Sequence, residues 1–275
     1  MMKKLYAVLA IILVSCLGCS TLPAHRSFTV AGDHGQLATV LHAPQGKPTY
    51  PLVLILHGFN ASKDMYLLTE LSNQLNARGI GTLLFDFNGH GQSEGDFLDM
   101  TIPNELEDAR RIYAYASQLP QVSSISAVGH SQGAVVAAML AGEKGADRIQ
   151  TLVLMSPAPE LKQDTASGNL FGVTYDPKNP PSYITLPTGL KVGRDYLTTT
   201  PLVPIYEVSS QYTGPVLVVH SADDQLVPYK YGVEFSQIYP QAHLETVHGF
   251  DHNFTQDTPA IDQKVADYLS SQLLP

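Results

Sequence analysis

Cysteine is nearly absent from this chain. It has two in 275 residues, Cys16 and Cys19, and both fall near the start. No disulfide can therefore cross-link the remainder, and its fold must rest on packing. Positive charge is also scarce: 16 Lys and Arg stand against 25 Asp and Glu, for a net charge of −9. No basic stripe is available to neutralise phosphates, which argues against a nucleic-acid partner; the acidic balance serves solubility. Long apolar runs are missing too, the most prominent being Leu5 to Val14, too short for a mature bilayer-spanning helix. No internal repeat or low-complexity block is visible. With 44% hydrophobic residues, one large domain with a well-buried core is expected.

The first residues are separable from that domain. Lys3 and Lys4 precede the apolar run, and Leu13-Val14-Ser15-Cys16 follows it: a charged segment, a short apolar segment and small residues at a cleavage point. The ending resembles a bacterial lipoprotein signal, which implies lipid attachment at Cys16 and membrane anchorage outside the cytoplasm, periplasmic or at the cell surface. An ordinary signal peptide cut nearby is the alternative. Cys19 fits less well as acceptor, because Cys16 rather than a leucine lies three residues before it. Cleavage before Cys16 would leave 14 basic against 25 acidic residues, a net charge of −11. Residues 1–26 are thus expected to be signal and tether.

Beyond them, SFTVAG and QLATVLHA predict two short strands joined at Asp33-His34-Gly35. PLVLILHG is a continuous aliphatic run between Pro51 and Gly58, as expected of a strand buried on both faces. Ser62 is a candidate cap for a following helix with Leu67, Leu68, Leu71 and Leu75 at helical spacing. GIGTLLFDF predicts a strand, and Ile102 to Leu119 a helix with Leu106, Ala109, Ile112, Tyr113 and Ala116 on one stripe. SSISAVG, QGAVVAAMLAG and IQTLVLMS continue the alternation. It then breaks: residues 158–207 hold Pro, Gly, Thr and Tyr but no long aliphatic run. It resumes with PVLVVHSA, a helix from Tyr229 to Ile238, AHLETVHG, and a helix from Ile261 to Leu274. Strands alternating with helices predict an α/β fold, a mainly parallel sheet with helices on both faces. Residues 27–157 and 208–275 would form its core and 158–207 an insertion, placed where ligands bind beyond the strands' carboxyl ends.

Two G-x-S-x-G pentads compete for the chemistry. One begins at Gly91 and centres on Ser93; the other, Gly129-His130-Ser131-Gln132-Gly133, centres on Ser131. A pentad arises by accident in roughly one chain of this length in ten, given about 7% each of Gly and Ser, so context must decide. Ser93 is separated from its strand by a four-residue stretch and followed by EGDFLDMTIP, which is not helical; a turn role suffices. Ser131 lies between ISAV and AVVAAMLAG, on a tight strand-to-helix turn whose flanking residues must be small. Unpaired N–H groups at that helix start favour negative charge, and the backbone N–H of Gln132 is placed to donate to an oxyanion.

A serine hydroxyl needs a base. Of ten histidines, His252 is favoured, because it lies past the last strand and Gly249 on a loop that can swing toward Ser131. Structural roles suffice for His25, His34, His42, His220 and His243; His57 and His130 are expected to shape turn glycines, and His90 shares the loop of Ser93. His248 and His252 have i, i+4 spacing, but Gly249 breaks any helix there, so no metal site is inferred. The orienting acid should follow PVLVVHSA. Asp224 is favoured, with Asp223 as the alternative. The order Ser131, Asp224, His252 is that of α/β-hydrolases. A second oxyanion donor is expected from the LHGF loop, at the backbone N–H of Phe59.

LHGFNASKD, FDFNGHGQSEG, MTIPNELEDA, VGHSQGAVVAAMLAG, GVTYDP, PIYEVSSQ and HSADDQLVP closely resemble bacterial cinnamoyl (feruloyl) esterases of the α/β-hydrolase superfamily, over nearly everything from residue 27 onward. The resemblance implies an α/β-hydrolase fold with a lid inserted after the sixth strand. It also implies cofactor-free cleavage of small-molecule esters, plant-derived hydroxycinnamate esters among them. It places catalysis on Ser131, Asp224 and His252 and the oxyanion hole on Phe59 and Gln132. In that family a lid Asp and a lid Gln bind the ring hydroxyls. The Asp matches Asp164, whereas the Gln position holds Phe171, a departure that bears on phenol recognition. Ala134 replaces a usual glycine, as does Ser221. A short-chain carboxylesterase or acetyl esterase would share every catalytic residue. A peptidase or thioesterase on this fold and a non-catalytic surface binding module are the remaining alternatives.

Overall fold

The computed structural model describes residues 25–275. The expected signal segment and Cys16 lie outside the described residues, whereas His25 and Arg26, at the end of the expected tether, already belong to the first strand. In chain order the elements are β1 (His25–Ala31), β2 (Gln36–His42), β3 (Tyr50–Leu56), α1 (Tyr66–Ala77), β4 (Gly81–Phe85), α2 (Ile102–Ala116), β5 (Val122–His130), α3 (Gln132–Lys144) and β6 (Leu152–Met155). The interrupting segment carries α4 (Glu160–Ser167), the short ribbon β7 (Asn169–Leu170) with β8 (Val173–Thr174), a second ribbon of β9 (Tyr183–Thr185) with β10 (Lys191–Gly193), α5 (Arg194–Thr199) and α6 (Ile205–Ser209). β11 (Val216–Ser221), α7 (Lys230–Ile238), β12 (Ala242–Val247) and α8 (Thr258–Leu273) complete the chain. α6 runs across the expected boundary at 207/208.

Eight strands form one sheet in the order β1-β2-β4-β3-β5-β6-β11-β12. The pairs β1–β2 and β2–β4 are antiparallel, and every pair from β4 to β12 is parallel. This is the mainly parallel sheet that the strand–helix rhythm predicts, arranged in the α/β-hydrolase fold that the resemblance implies. The aliphatic run of β3 explains its central place. Leu52, Leu54 and Leu56 enter one core, while Val53 and Ile55 enter the other, because alternate side chains leave opposite faces of a strand. One core is closed by α2, α3 and α7, the other by the leucine stripe of α1 and by Ile261, Val265, Ala266 and Leu269 of α8. Each such buried Leu, Ile or Val side chain contributes about 1.5–3 kcal/mol.

Two local expectations change. Ser62 does not cap α1: the helix starts at Tyr66 with Met65 at its N-cap, and the Ser62 hydroxyl accepts from the N–H of Asp64 at 3.3 Å. The cause is the buried Asp86, which accepts from the Lys63 N–H at 2.6 Å and from Lys63 Nζ at 3.0 Å. That grip holds residues 62–65 in a turn. α2 ends at Ala116, not Leu119, because Pro120 pushes the residue before it out of the helical region.

From β3 the chain moves outward to β4, then crosses back to β5 on the other side of β3. The strand order reverses there, and crevices form beyond the carboxyl ends at such a reversal. Register then matters: Leu56 of β3 pairs with Gly129 of β5. The loop opening at His57 and the turn at Ser131 consequently emerge side by side.

Candidate active site

Ser131 occupies the N-cap of α3 with φ 57° and ψ −125°. That is an unusual conformation for a residue with a side chain, and strain of this kind persists only where the surroundings over-determine it. They do so here. The Ser131 N–H donates to Met155 O at 2.9 Å, and its carbonyl accepts from Ala134 and Ala158 at 3.0 and 3.3 Å. A Cβ on Gly129 would lie 2.2 Å from Gly133 O, and one on Gly133 would lie 2.2 Å from His57 O. Both pentad glycines are therefore required by close approach of backbones.

Ser93 has a different environment. Its hydroxyl donates to Asp86 O at 2.6 Å and accepts from Ala38 N–H at 2.8 Å, fastening the loop after β4 to β2. No helix begins beneath it.

His252 meets Ser131 across the sheet edge, its Nε2 lying 2.9 Å from Ser131 Oγ. Its Nδ1 lies 2.7 Å from Asp224 Oδ2. An ionised carboxylate only accepts, so the proton sits on Nδ1 and Nε2 presents its lone pair to the serine hydroxyl. The three residues are 9%, 7% and 7% exposed, shielded from bulk water. The other oxygen of Asp224 accepts from the N–H groups of Leu226 and Val227 at 2.8 and 2.9 Å. Burial alone would raise the Asp224 carboxyl, but hydrogen bonds from His220 and His252 and the Val227 N–H outweigh it and hold the group well below the ordinary range. Asp223 is committed elsewhere: it accepts from the Gly249 N–H at 2.7 Å.

Two histidines expected to be merely structural support this row. His220 Nε2 lies 3.0 Å from Val227 O and 3.3 Å from Asp224 Oδ2. His130 Nε2 donates to the carbonyl of His252 at 3.0 Å, pinning the backbone that carries the base. Burial holds His130 at about 3, so it is neutral at physiological pH. The His130 contact has no local sequence signal, since 122 residues separate it from its partner, whereas His220 lies only four residues before Asp224. His248 is exposed, with Nδ1 3.9 Å from Asp223, and does not share a site with buried His252. Among the described residues no cluster of three or more His, Cys, Asp or Glu could hold a metal ion.

The two expected oxyanion donors flank Ser131. Gln132 begins α3, so its N–H has no partner within the helix. The N–H of Phe59 belongs to the same peptide unit as the carbonyl of Gly58, which accepts from His57 Nδ1 at 2.9 Å and from the Ala61 N–H at 3.1 Å. Because that unit is trans and planar, holding the carbonyl aims the N–H the opposite way. His57 can only donate there, since its Nε2 accepts from the Phe87 N–H at 3.1 Å, and burial lowers it to about 3. A Cβ on Gly58 would come within 2.8 Å of Ser131 Cβ, so glycine is needed for the loop to approach the serine.

Ser131 and His252 open onto a cavity of about 960 Å³. Phe59, Phe97, Met65, Leu161, Phe171 and Leu190 supply apolar wall, and Asn60, His90 and Glu160 are among its polar groups. Several of these come from the segment between β6 and β11. Phe171 sits at the tip of the β7–β8 ribbon with φ 49°, its ring 5.1 Å from that of Phe59. Asp164 is half-buried on α4, one turn after Glu160, and is not part of the cavity wall; burial raises its carboxyl. Glu160, which sequence reasoning missed, is pushed by burial up to about 8, and its Oε2 has no hydrogen-bond partner among the described residues.

Comparison with known proteins follows the same lines. Residues 47–176 match the family described as serine aminopeptidase, S33, and residues 195–275 match that described as TAP-like protein. Est1E from Butyrivibrio proteoclasticus, solved with ferulic acid bound, superposes with a TM-score of 0.85 at 30% identity, covering 89% of this chain and 98% of that one. Among curated proteins, human Protein ABHD12B is 25% identical over 81% of this chain, and the Danio rerio lysophosphatidylserine lipase ABHD12 is 24% identical over 80%. The chain spans 61% and 58% of those two relatives' lengths.

Proposed function

The chain belongs to the α/β-hydrolase superfamily as a serine hydrolase, and from that premise we propose that it cleaves carboxylic esters through an acyl-enzyme on Ser131, with hydroxycinnamoyl esters as the substrate class. The observation that carries the reading is the row Ser131–His252–Asp224, with contacts of 2.9 and 2.7 Å, at a helix amino end on the floor of an aromatic-lined cavity. His252 Nε2 takes the hydroxyl proton as Ser131 Oγ attacks the ester carbonyl. Asp224 remains ionised and stabilises the imidazolium. The N–H groups of Phe59 and Gln132 receive the oxyanion, each worth about 3 kcal/mol. His252 then protonates the leaving alcohol, and water enters by the reverse sequence to release the acid.

The aromatic wall and the likeness to Est1E, which was solved with ferulic acid, support a planar aromatic acyl group. In this reading residues 158–207 act as a lid over the acyl pocket. A specific observation favours a second reading, a general short-chain carboxylesterase or acetyl esterase. Phe171 stands in the wall where the resemblance expects a glutamine, and Asp164 lies outside the wall, so the Asp–Gln pair expected to hold a phenol's hydroxyls is not assembled. The test is kcat/KM for methyl ferulate and 4-nitrophenyl butyrate in wild type and Ser131→Ala. A ferulate preference abolished in the variant supports the first reading, and butyrate turnover with little ferulate cleavage supports the second. If wild type has neither activity nor covalent labelling by a fluorophosphonate, the chain is a binding module. We further propose that Cys16 carries a lipid that anchors the protein to a membrane outside the cytoplasm. Radiolabelled palmitate incorporated by wild type and by Cys16→Ser alike would overturn that assignment.

A further inference from the structure

Beneath the oxyanion site lies a buried polar chain for which the acyl-transfer steps give no role. The Tyr196 hydroxyl, from α5 of the inserted segment, donates to Gln132 Oε1 at 2.7 Å. Gln132 Nε2 donates to Glu105 Oε2 of α2 at 2.8 Å. Tyr196 and Gln132 are wholly buried and Glu105 is 2% exposed. Among the described residues Glu105 Oε1 and His90 Nε2 have no hydrogen-bond partner, and they lie 4.0 Å apart. His90 Nδ1 lies 3.2 Å from Asn88 O, which only accepts, so Nε2 is the unprotonated ring nitrogen. The ring of His90 in turn packs at 4.9 Å on that of His57, the residue that aims the Phe59 amide. Tyr196 itself packs on the Phe59 ring at 5.6 Å.

Such a network is costly to bury unless it is fully satisfied, and an apolar filling would pack the same space without that cost. What it does accomplish is geometric. Both ends of the Gln132 side-chain amide are held, by partners on two different elements, at the first residue of α3. The same groups touch the loop carrying the second donor. We propose that Glu105 and Tyr196 are positioning residues for the oxyanion hole, so that the inserted segment, through Tyr196, holds both amide donors in register with Ser131. The inference rests on the serine-esterase reading above.

Burial pushes Glu105 up to about 8, against the lowering effect of the Gln132 hydrogen bond and with Asp108 adding to the rise. At neutral pH it is therefore a neutral acid. Its hydroxyl hydrogen belongs on Oε1, facing His90, while Oε2 accepts from Gln132. Glutamine is then a close replacement in charge and shape, whereas leucine removes the acceptor.

The experiment compares Tyr196→Phe, Glu105→Leu and Glu105→Gln with wild type. It measures kcat and KM on 4-nitrophenyl butyrate, the inhibition constant of phenylboronic acid, and Tm. A boronate forms a tetrahedral adduct on the serine and places an oxygen where the oxyanion develops. Tyr196→Phe and Glu105→Leu should lower kcat by about ten-fold or more, since small misplacements of reacting groups cost up to about a hundred-fold. KM should stay within about two-fold, because the interaction is made only in the transition state. The boronate constant should rise by the same factor as kcat falls, and Glu105→Gln should recover most of what Glu105→Leu loses. Folded variants with unchanged kcat would overturn the proposal. So would a fall in kcat without weaker boronate binding, or Glu105→Gln as impaired as Glu105→Leu. Wild type that neither turns over ester nor binds boronate would instead overturn the esterase reading, and the proposal with it.

Discussion

Replacing Asp224 by asparagine changes one oxygen into an amino group, and the structure determines where that group must go. Oδ1 of Asp224 accepts from two backbone N–H groups, those of Leu226 and Val227. A backbone donor cannot become an acceptor. An amide nitrogen at that position would face two donors with no relief, so the asparagine oxygen takes the Oδ1 place and its NH2 takes the Oδ2 place. There it faces His252 Nδ1 at 2.7 Å and His220 Nε2 at 3.3 Å. Imidazoles can respond by moving a proton, because each ring nitrogen can donate or accept. His252 then carries its hydrogen on Nε2 and donates it toward Ser131 Oγ, which leaves no base for the hydroxyl. The expected loss in kcat is about 10⁴-fold, the cost of the wrong tautomer in a serine triad, or about 5 kcal/mol of barrier. The fold should persist, since the backbone contacts of Oδ1 are kept. The assay is turnover of 4-nitrophenyl butyrate at neutral pH, with a Tm measured on the same preparation. Asp223→Asn serves as the comparison, because the Asp223 carboxylate holds the Gly249 N–H and faces exposed His248 rather than His252, and its effect should stay within about ten-fold. An Asp224→Asn enzyme within ten-fold of wild type, or an Asp223→Asn enzyme as impaired, would refute the reasoning.

Ser93→Ala removes the hydroxyl that bridges Ala38 N–H and Asp86 O, so it should cost about 1–3 kcal/mol of stability while leaving fluorophosphonate labelling intact; loss of labelling would move the nucleophile away from Ser131. Asp262 on α8 is wholly buried with both oxygens unpartnered among the described residues, and burial, with Glu70 adding to it, pushes its carboxyl up to about 9. The folded form thus keeps a proton that the unfolded form releases above about pH 4, and stability falls as pH rises from there toward 9. Asp262→Asn should match wild type near pH 4 and exceed it by about 4 kcal/mol at pH 7 in urea unfolding; parallel pH curves would show that the carboxyl is not held neutral.

The local parts of this protein were legible from one strand of text. The aliphatic runs of β3, β5 and β11 and the leucine stripe of α1 carry their own periodicity, and periodicity depends only on neighbours along the chain. Ser131 could be told from Ser93 for the same reason: strand, turn and helix start lie within about ten residues of one pentad. Helix ends were less legible where distant groups intervene, as when Asp86 draws Lys63 away from the start of α1.

The site beyond its serine belongs to the tertiary structure. Asp223 and Asp224 are chemically identical neighbours, and only the loop after β11 turns one to His252 and the other to the Gly249 amide. His130 and His220 looked like turn and core residues because their partners, the carbonyl of His252 and the carboxylate of Asp224, are defined by a loop's path rather than by spacing. The Tyr196–Gln132–Glu105 chain joins three elements through hydrogen bonds that span 64 and 27 residues. Its polar atoms carry no pattern in the sequence. Hydrophobic faces repeat because packing against a sheet repeats, whereas a hydrogen-bond network is assembled once, from whichever side chains the fold brings within 3 Å of one another.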